Sequence, residues 1–439
     1  MSIFDVLALF GGLALFLFGM NVMGDGLTRA AGGKMERILE KLTSTPIKGV
    51  LLGAAVTAVI QSSSATTVMV VGFVNSGIMK LRQAVGIIMG ANIGTTVTSW
   101  ILSLSGIQGD SIWIQMLKPS SFSPILAVIG IAFLMFSKNE KKHDIGMIFL
   151  GFTILMYGMD AMSGAVAPLA DVPEFANVLL MFSNPVLGMI VGTLFTAIIQ
   201  SSSASVGILQ ALCMTGAVTY GTALPIIMGQ NIGTCVTALL SSIGAKKNAK
   251  RAAFVHLYFN LIGTILFMIV FYSINAFVNF GVLQDMATPA GIAVIHSIFN
   301  ILTTIVLLPF GKGLEKLATL TIREKEEPVE EIAELVPLKH LDARFLEQPA
   351  FAVTQSMDVM NQMAGYSAEA LYDSLELMKD YSDEKWQRVE ALEDIVDKYE
   401  DELGTYLAKV SGKELAEEDS KRVSNGCLLY TSPSPRDRG

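Results

Sequence analysis

A short, wholly polar motif set twice in the middle of charge-free apolar sequence restricts this chain more than any other feature. Gln61-Ser62-Ser63-Ser64 recurs 139 residues on as Gln200-Ser201-Ser202-Ser203, and the same spacing holds through the surroundings without a gap. Gly12 matches Gly151, Gly19-Met20 matches Gly158-Met159, and Pro46, Gly49, Gly53 and Thr57 match Pro185, Gly188, Gly192 and Thr196. Beyond the motif, Ile87 to Gly90 matches Ile226 to Gly229, and Asn92-Ile-Gly-Thr95 matches Asn231-Ile-Gly-Thr234. The chain is therefore built from two equivalent halves.

The solvent for these halves is a lipid bilayer. Phe175 to Ala245, Ala252 to Gln284 and Met286 to Gly311 contain no Asp, Glu, Lys or Arg, and each exceeds the roughly 20 residues that span hydrocarbon. A mean hydropathy of +0.53 is too high for an ordinary soluble domain. The first apolar run, Val6 to Gly24, follows no basic segment and is expected to be a retained helix rather than a leader. The net charge of -8 gathers after Arg323, which argues against nucleic acid as a partner. Cys213, Cys235 and Cys427 imply no disulfide framework and no metal cluster.

Basic loop residues mark the cytoplasmic side. Arg29, Lys34, Arg37, Lys41 and Lys48 precede the first Ser-rich segment, and Lys80 and Arg82 follow it, so both flanks face the cytoplasm. The pieces between, Ile47 to Ile60 and Ala65 to Ile78, are too short to cross, which predicts a re-entrant hairpin with the motif at its tip. Gly164 to Pro185 and Ala217 to Thr222, around the second motif, carry no Lys or Arg, so that hairpin is expected to enter from outside. Full crossings near 84–105, 122–137, 145–163, 223–243, 252–276 and 290–310 put Lys138, Lys141, Lys142, Lys246, Lys247, Lys250 and Arg251 inside, with Lys118 and Asp110 outside. The fold class is an all-α polytopic membrane protein of two inverted-topology repeats, each with a re-entrant helical hairpin, followed by a truncated cytoplasmic helical domain. The expected divisions are residues 1–139, 140–315 with extra helices, a linker at 316–340 and a helical domain at 341–426.

Each hairpin opens on an N-cap and a proline, Ser44-Thr45-Pro46 and Ser183-Asn184-Pro185. The motif then falls where one half-helix ends and the next begins, an end that suits an anion. Hydroxyls of Ser62, Ser63, Ser64 and Thr66, with those of Ser201, Ser202, Ser203 and Ser205, can surround a tetrahedral oxyanion, and Gln61 and Gln200 each offer a donor and an acceptor. Carbonyl and side-chain oxygens suit a sodium ion, and no Arg or Lys is at hand to offset a bound anion, so coupling to a co-bound cation is expected. Asn92, Thr95, Asn231 and Thr234 are second contributors, with Gly90, Gly94, Gly229 and Gly233 taken as marks of broken helices that line a cavity. Asp160, where the first half has Asn21, reads either as a carboxylate near a wet helix end or as a group in ion binding or coupling. His256-x-x-x-Asn260 and His296-x-x-x-Asn300 form a further pair, read as structural hydrogen bonding across helices ahead of substrate binding.

At these residues the sequence resembles the type II sodium-phosphate cotransporters, whose signature is a Gln-Ser-Ser-Ser motif duplicated in inverted halves. The resemblance covers Ile3 to about Gly313 and implies inorganic phosphate as substrate and sodium as coupling ion at residues 61–64 and 200–203. Charge and periodicity alone give a sodium-coupled or anion transporter. Leu341 to Pro349 resembles the junction into the cytoplasmic PhoU-like domain of bacterial members, and amphipathic helices are predicted over Ala350 to Met378 and Asp383 to Val410. Glu393-x-x-x-Asp397 resembles the acidic metal motif of PhoU proteins, although a solvated helix face accounts for it more simply. Cys427 to Gly439 resembles the translation of a sequencing adapter and is set aside, so the natural chain is expected to be longer.

The expected function is a sodium-coupled phosphate symporter of the bacterial inner membrane, working by alternating access, with no further cofactor. A homodimer is left open. The alternatives are a phosphate exporter, a carrier of another oxyanion, or a phosphate sensor signalling through the PhoU-like domain. An enzyme is excluded for want of a nucleotide loop or a partnered nucleophile.

Overall fold

The computed structural model describes residues 2–31, 45–107, 111, 115–116, 118–172, 181–323, 333–413 and 415–431. Lys34, Arg37, Lys41, Ser44, Asp110 and the tail 432–439 lie outside the described residues. Two compact units result, Met1–Val71 with Leu81–Ile322, and Gly72–Lys80 with Arg323–Gly439.

The first unit is helical: α1 (Ile3–Ala31), α2 (Pro46–Ile60), α3 (Ser63–Ser76, whose last residues belong to the second unit), α4 (Leu81–Ser103), α5 (Pro119–Phe136), α6 (Glu140–Val166), α7 (Pro185–Ile199), α8 (Ser202–Cys213), α9 (Tyr220–Ser241), α10 (Lys247–Val278), α11 (Pro289–Leu307) and α12 (Gly311–Thr321). Among the described residues, seven helices are long and apolar enough to cross a membrane. The chain is a multi-pass membrane protein. The expected crossings fall on α4, α5, α6, α9, α10 and α11, and the seventh is α1. Helix α12 runs on to Thr321, past the point where a linker was expected.

Lipid offers no hydrophobic drive for helices to associate, so close backbone packing at small residues has to supply it. Helices α1 and α6 meet antiparallel at four glycines. A Cβ on Gly12 would press on the Gly158 carbonyl and the Met162 amide, and one on Gly19 would overlap Gly151 and Leu155. The reverse holds at Gly151 and Gly158, which abut Gly19 with Met23 and Gly12 with Phe16. Since Gly12 and Gly151 are repeat equivalents, as are Gly19 and Gly158, the contact is self-complementary in the manner of a two-fold interface. Phe16, Met23, Leu155, Met159 and Met162 fill the core around it.

The second glycine contact is made twice. In the first half Gly53 abuts the Ile87 carbonyl and Gly90 the Val50 carbonyl, seating α2 on α4. In the second half Gly192 abuts the Ile226 carbonyl and Gly229 the Met189 carbonyl, seating α7 on α9. Helices α4 and α9 are continuous through these positions, which corrects the expectation of broken helices. Gly90, Gly94, Gly229 and Gly233 admit a neighbouring backbone instead of interrupting their own.

The second unit holds α13 (Pro349–Leu377), α14 (Asp383–Ser411) and α15 (Glu417–Thr431). Its core includes Phe73, Phe345 and Phe351, whose ring centroids lie 4.8–5.3 Å apart. Two α14 tyrosines hold the segment before α13, Tyr399 donating to the Glu334 carbonyl at 2.6 Å and Tyr406 to the Asp342 carbonyl at 2.9 Å. Among the described residues no group of three or more His, Cys, Asp or Glu side chains is placed to hold a metal ion.

Substituting Gly158→Val forces a branched side chain into the α1 backbone, and the expected cost is about 3 kcal/mol or more. Gly164→Ala, where a Cβ meets nothing within 4 Å, is expected to be neutral. Thermal melting of the two detergent-purified variants beside wild type checks both.

Candidate functional site

The two hairpins are built alike, from N-cap to clasp. Thr45 caps α2, its hydroxyl accepting from the Lys48 amide at 3.3 Å, and Asn184 caps α7, accepting from the amides of Val186 and Leu187 at 3.1 Å each. Proline follows each cap and starts the helix. Each helix ends at a glutamine in the left-handed region, Gln61 at φ 59°, ψ 21° and Gln200 at φ 58°, ψ 21°. Their amides close the last turn on the carbonyls of Thr57 at 2.8 Å and Thr196 at 2.7 Å. A non-glycine residue there costs about 1 kcal/mol or more, and strain of this kind gathers at functional positions.

The next residue restarts the helix. Ser62 accepts from the Ala65 amide at 3.1 Å and Ser201 from the Ala204 amide at 3.2 Å. A clasp between the two arms then fixes their angle: Thr57 donates to Thr66 at 3.0 Å and Thr196 to Ser205 at 2.7 Å. Thr66 and Ser205 are thereby engaged within the hairpins, fully buried. The amides of Ser63 and Ser64, and of Ser202 and Ser203, sit in the first turn, where no intrahelical acceptor exists. Their four hydroxyls make no hydrogen bond among the described residues, although Ser63, Ser202 and Ser203 are buried. Each tip therefore presents two free hydroxyls at a helix N-terminus, the positive end of the helix dipole.

Asn92 and Asn231 lie on the helices that support the tips, and both are buried. Their amides donate back to Ile88 and Ile227 at 2.9 and 3.1 Å, and Thr95 and Thr234 donate back to Ala91 and Gln230 at 3.1 and 2.9 Å. The asparagine carbonyl oxygens are left over as acceptors. Asp160 lies on α6 about a turn and a half before its end, exposed and outside these networks. The His-Asn pairs turn inward differently from expectation: Asn260 and Asn300 donate to the carbonyls of His256 and His296 on their own helices, at 3.0 and 2.9 Å. Asn260 also reaches across, to the Cys235 sulfur at 3.4 Å, and the Cys235 thiol donates back to the His256 carbonyl at 3.5 Å.

The halves part company at one contact. Thr98 on α4 donates to Gln61 Oε1 at 2.9 Å, while Gln61 Nε2 donates to the Ala58 carbonyl and leaves the residue 5% exposed. The equivalents are Thr237 and Gln200. Gln200 is exposed, and the Thr237 hydroxyl is buried without a partner among the described residues. Thr98 and Thr237 were passed over in the sequence, although their 139-residue spacing marks them as part of the repeat.

Paired polar turns among seven apolar helices define a multi-pass membrane protein of the transporter class. The sequence matches the Na+/Pi-cotransporter family over residues 15–164 and 170–285, and the chain belongs to that family. A Bacillus subtilis protein, YqeW, whose name assigns no function, is 31% identical over 71% of this chain and 97% of its own length. The Escherichia coli K12 protein YjbB, provisionally named for inorganic phosphate export, is 26% identical over 95% of this chain and 73% of its own. Rat sodium-dependent phosphate transport protein 2A is 39% identical over a shorter stretch, 21% of this chain and 15% of its own. No solved structure matches the chain.

Gln200→Gly relieves the left-handed strain and removes a side-chain amide that makes no hydrogen bond among the described residues. Thermal stability is expected to hold or to rise by about 1 kcal/mol, while solute flux falls at least tenfold. Melting and flux assays on one preparation check the two together; a parallel loss of stability would make the residue structural.

Proposed function

We propose that this protein carries inorganic phosphate across the bacterial cytoplasmic membrane coupled to sodium, by alternating access through two inverted, re-entrant hairpins. The observation that carries the proposal is the pair of hairpin tips, alike in backbone and in free serine hydroxyls, yet closed at Gln61 and open at Gln200. Phosphate is a tetrahedral oxyanion, and helix N-termini with amides and hydroxyls from Ser63, Ser64, Ser202 and Ser203 suit it. Sodium takes the oxygens left over nearby, among them the side-chain carbonyls of Gln200, Asn92 and Asn231, and neutralises charge that no Arg or Lys offsets.

The self-complementary, antiparallel contact of α1 with α6 supports the inverted relation, since repeat-equivalent helices run in opposite senses there. Hairpin arms of 15, 14, 15 and 12 residues support re-entry, because 15 residues rise only about 22 Å against a hydrocarbon core of about 30 Å. Basic residues at Lys138 to Lys142 and Lys246 to Arg251 support a cytoplasmic start for α6 and for α10, and with α10 and α11 crossing in turn we read the second unit as cytoplasmic. That unit we read as PhoU-like. The name of the Escherichia coli relative favours a second reading, in which physiological flow is outward.

Radioactive phosphate flux in proteoliposomes, with a sodium gradient in either direction and none, tests the assignment. Sodium-dependent flux is expected in wild type, with at least a tenfold loss in Gln61→Ala and Ser202→Ala. Outward flux that ignores sodium would establish the second reading, and undiminished flux in both variants would move the site away from the hairpins.

A further inference from the structure

The turn between α5 and α6 carries an open groove of about 580 Å³ whose lining changes character from one end to the other. Ala132 and Phe136 of α5 form an apolar end, while Lys138, Asn139 and Lys142 form a polar one. Both helices are long and apolar enough to cross the membrane. The turn that joins them therefore lies where hydrocarbon gives way to headgroups.

The apolar end is continuous with the lipid. Helix α5 seats its inner face on α6, where Gly130 and Gly146 abut each other's carbonyls and Thr153 donates to the Ser123 carbonyl at 2.9 Å. Its outer face, Ile125, Val128, Ile129, Ala132, Met135 and Phe136, recurs every three or four residues. The five large side chains of that face are 37–81% exposed. Acyl chains cover such a stripe, and this one runs into the groove at Ala132 and Phe136.

The polar end is cationic. Lys138 sits in the turn and Lys142 in the first turn of α6, whose side chains lean toward its N-terminus and so toward Lys138. Neither ammonium has an ion-pair or hydrogen-bond partner among the described residues. Glu140 and Asp144 are the carboxylates nearest in the chain, and neither lines the groove. Asn139 already accepts from the Lys141 and Lys142 amides, at 3.0 and 3.4 Å, so an anion here falls to the ammonium groups rather than to the helix end.

We propose that this groove is a binding site for an anionic phospholipid of the surrounding leaflet, with its phosphate between Lys138 and Lys142 and an acyl chain along α5 past Phe136 and Ala132. Membrane-facing basic pockets select headgroups of net negative charge. A zwitterionic headgroup brings an ammonium for which the groove has no counter-charge, and a free phosphate ester leaves the apolar end uncovered. The site stands independently of the transport reading.

Native mass spectrometry of the detergent-purified protein, titrated with phosphatidylglycerol, phosphatidylcholine or glycerol 3-phosphate, reads binding directly. Phosphatidylglycerol is expected to bind wild type more tightly than phosphatidylcholine does. Its affinity should fall about thirtyfold in Lys138→Gln/Lys142→Gln and severalfold in Phe136→Ser. Each of these side chains is exposed, so the variants are expected to fold as wild type does. Lys398→Gln/Lys409→Gln, an equal change of charge in the second unit, is expected to bind like wild type. Equal affinity for the two lipids, or a loss no larger in the groove pair than in the second-unit pair, would overturn the proposal. Glycerol 3-phosphate binding as tightly as the lipid, with Phe136→Ser unaffected, would make the groove a soluble-anion site instead. Dimers that vanish in both groove variants while lipid binding persists would make it a contact between copies of the chain.

Discussion

Breaking a helix among apolar helices frees backbone amides and carbonyls that must find partners locally, and the first unit does so twice in the same way. The break is made by a glutamine in the left-handed region, which ends one arm with a hydrogen bond to the threonine four residues before it. A serine caps the next arm, and a hydroxyl clasp locks the two arms together. Glycine would adopt that backbone more cheaply. Retaining glutamine at both turns places an amide beside the free serines, so the strained backbone and the polar tip come from one residue.

Such a hairpin holds a defined position only if its outer arm is pinned. The glycine contacts do this with backbone against backbone, Gly53 and Gly90 in one half and Gly192 and Gly229 in the other. No side chain intervenes that could repack. Because the halves share these contacts residue for residue, the outer arm is seated on its supporting helix in the same way in each. The α1–α6 contact joins helices from the two halves through equivalent residues, which gives the assembly a common axis without a third element.

Much of this was legible in the sequence. Proline after an N-cap marked where α2 and α7 begin, and four polar residues in apolar surroundings marked where they end. The glycines of α4 and α9 misled, because spacing alone does not separate a helix that unwinds from one that admits a neighbour. Their repeat every fourth residue, which keeps one face bare, was the sign of packing. Thr98 and Thr237 were visible as repeat equivalents but stood outside the motif. The different settings of Gln61 and Gln200 could not be read from the motif, whose four residues are the same in both halves.

That difference must come from positions where the halves diverge, and those along α8 and α9 include three that bring in a different polar side chain. Ser205 replaces Thr66, Gln230 replaces Ala91, and Gln210 replaces Val71. Gln210 is fully buried, and its Nε2 donates to the Ser99 carbonyl at 3.1 Å and the Pro289 carbonyl at 2.9 Å, with the Ser99 hydroxyl at 3.3 Å. One side chain thus ties the inner arm of the second hairpin to α4 and α11, a tie that Val71 cannot make. Two protein hydrogen bonds contribute about 1 kcal/mol each. If they form in only one of two arrangements, about 2 kcal/mol favours that arrangement roughly thirtyfold. A perfectly symmetric duplication would favour neither of two such arrangements; under the proposed alternating access, a single buried amide on one side would suffice to favour one.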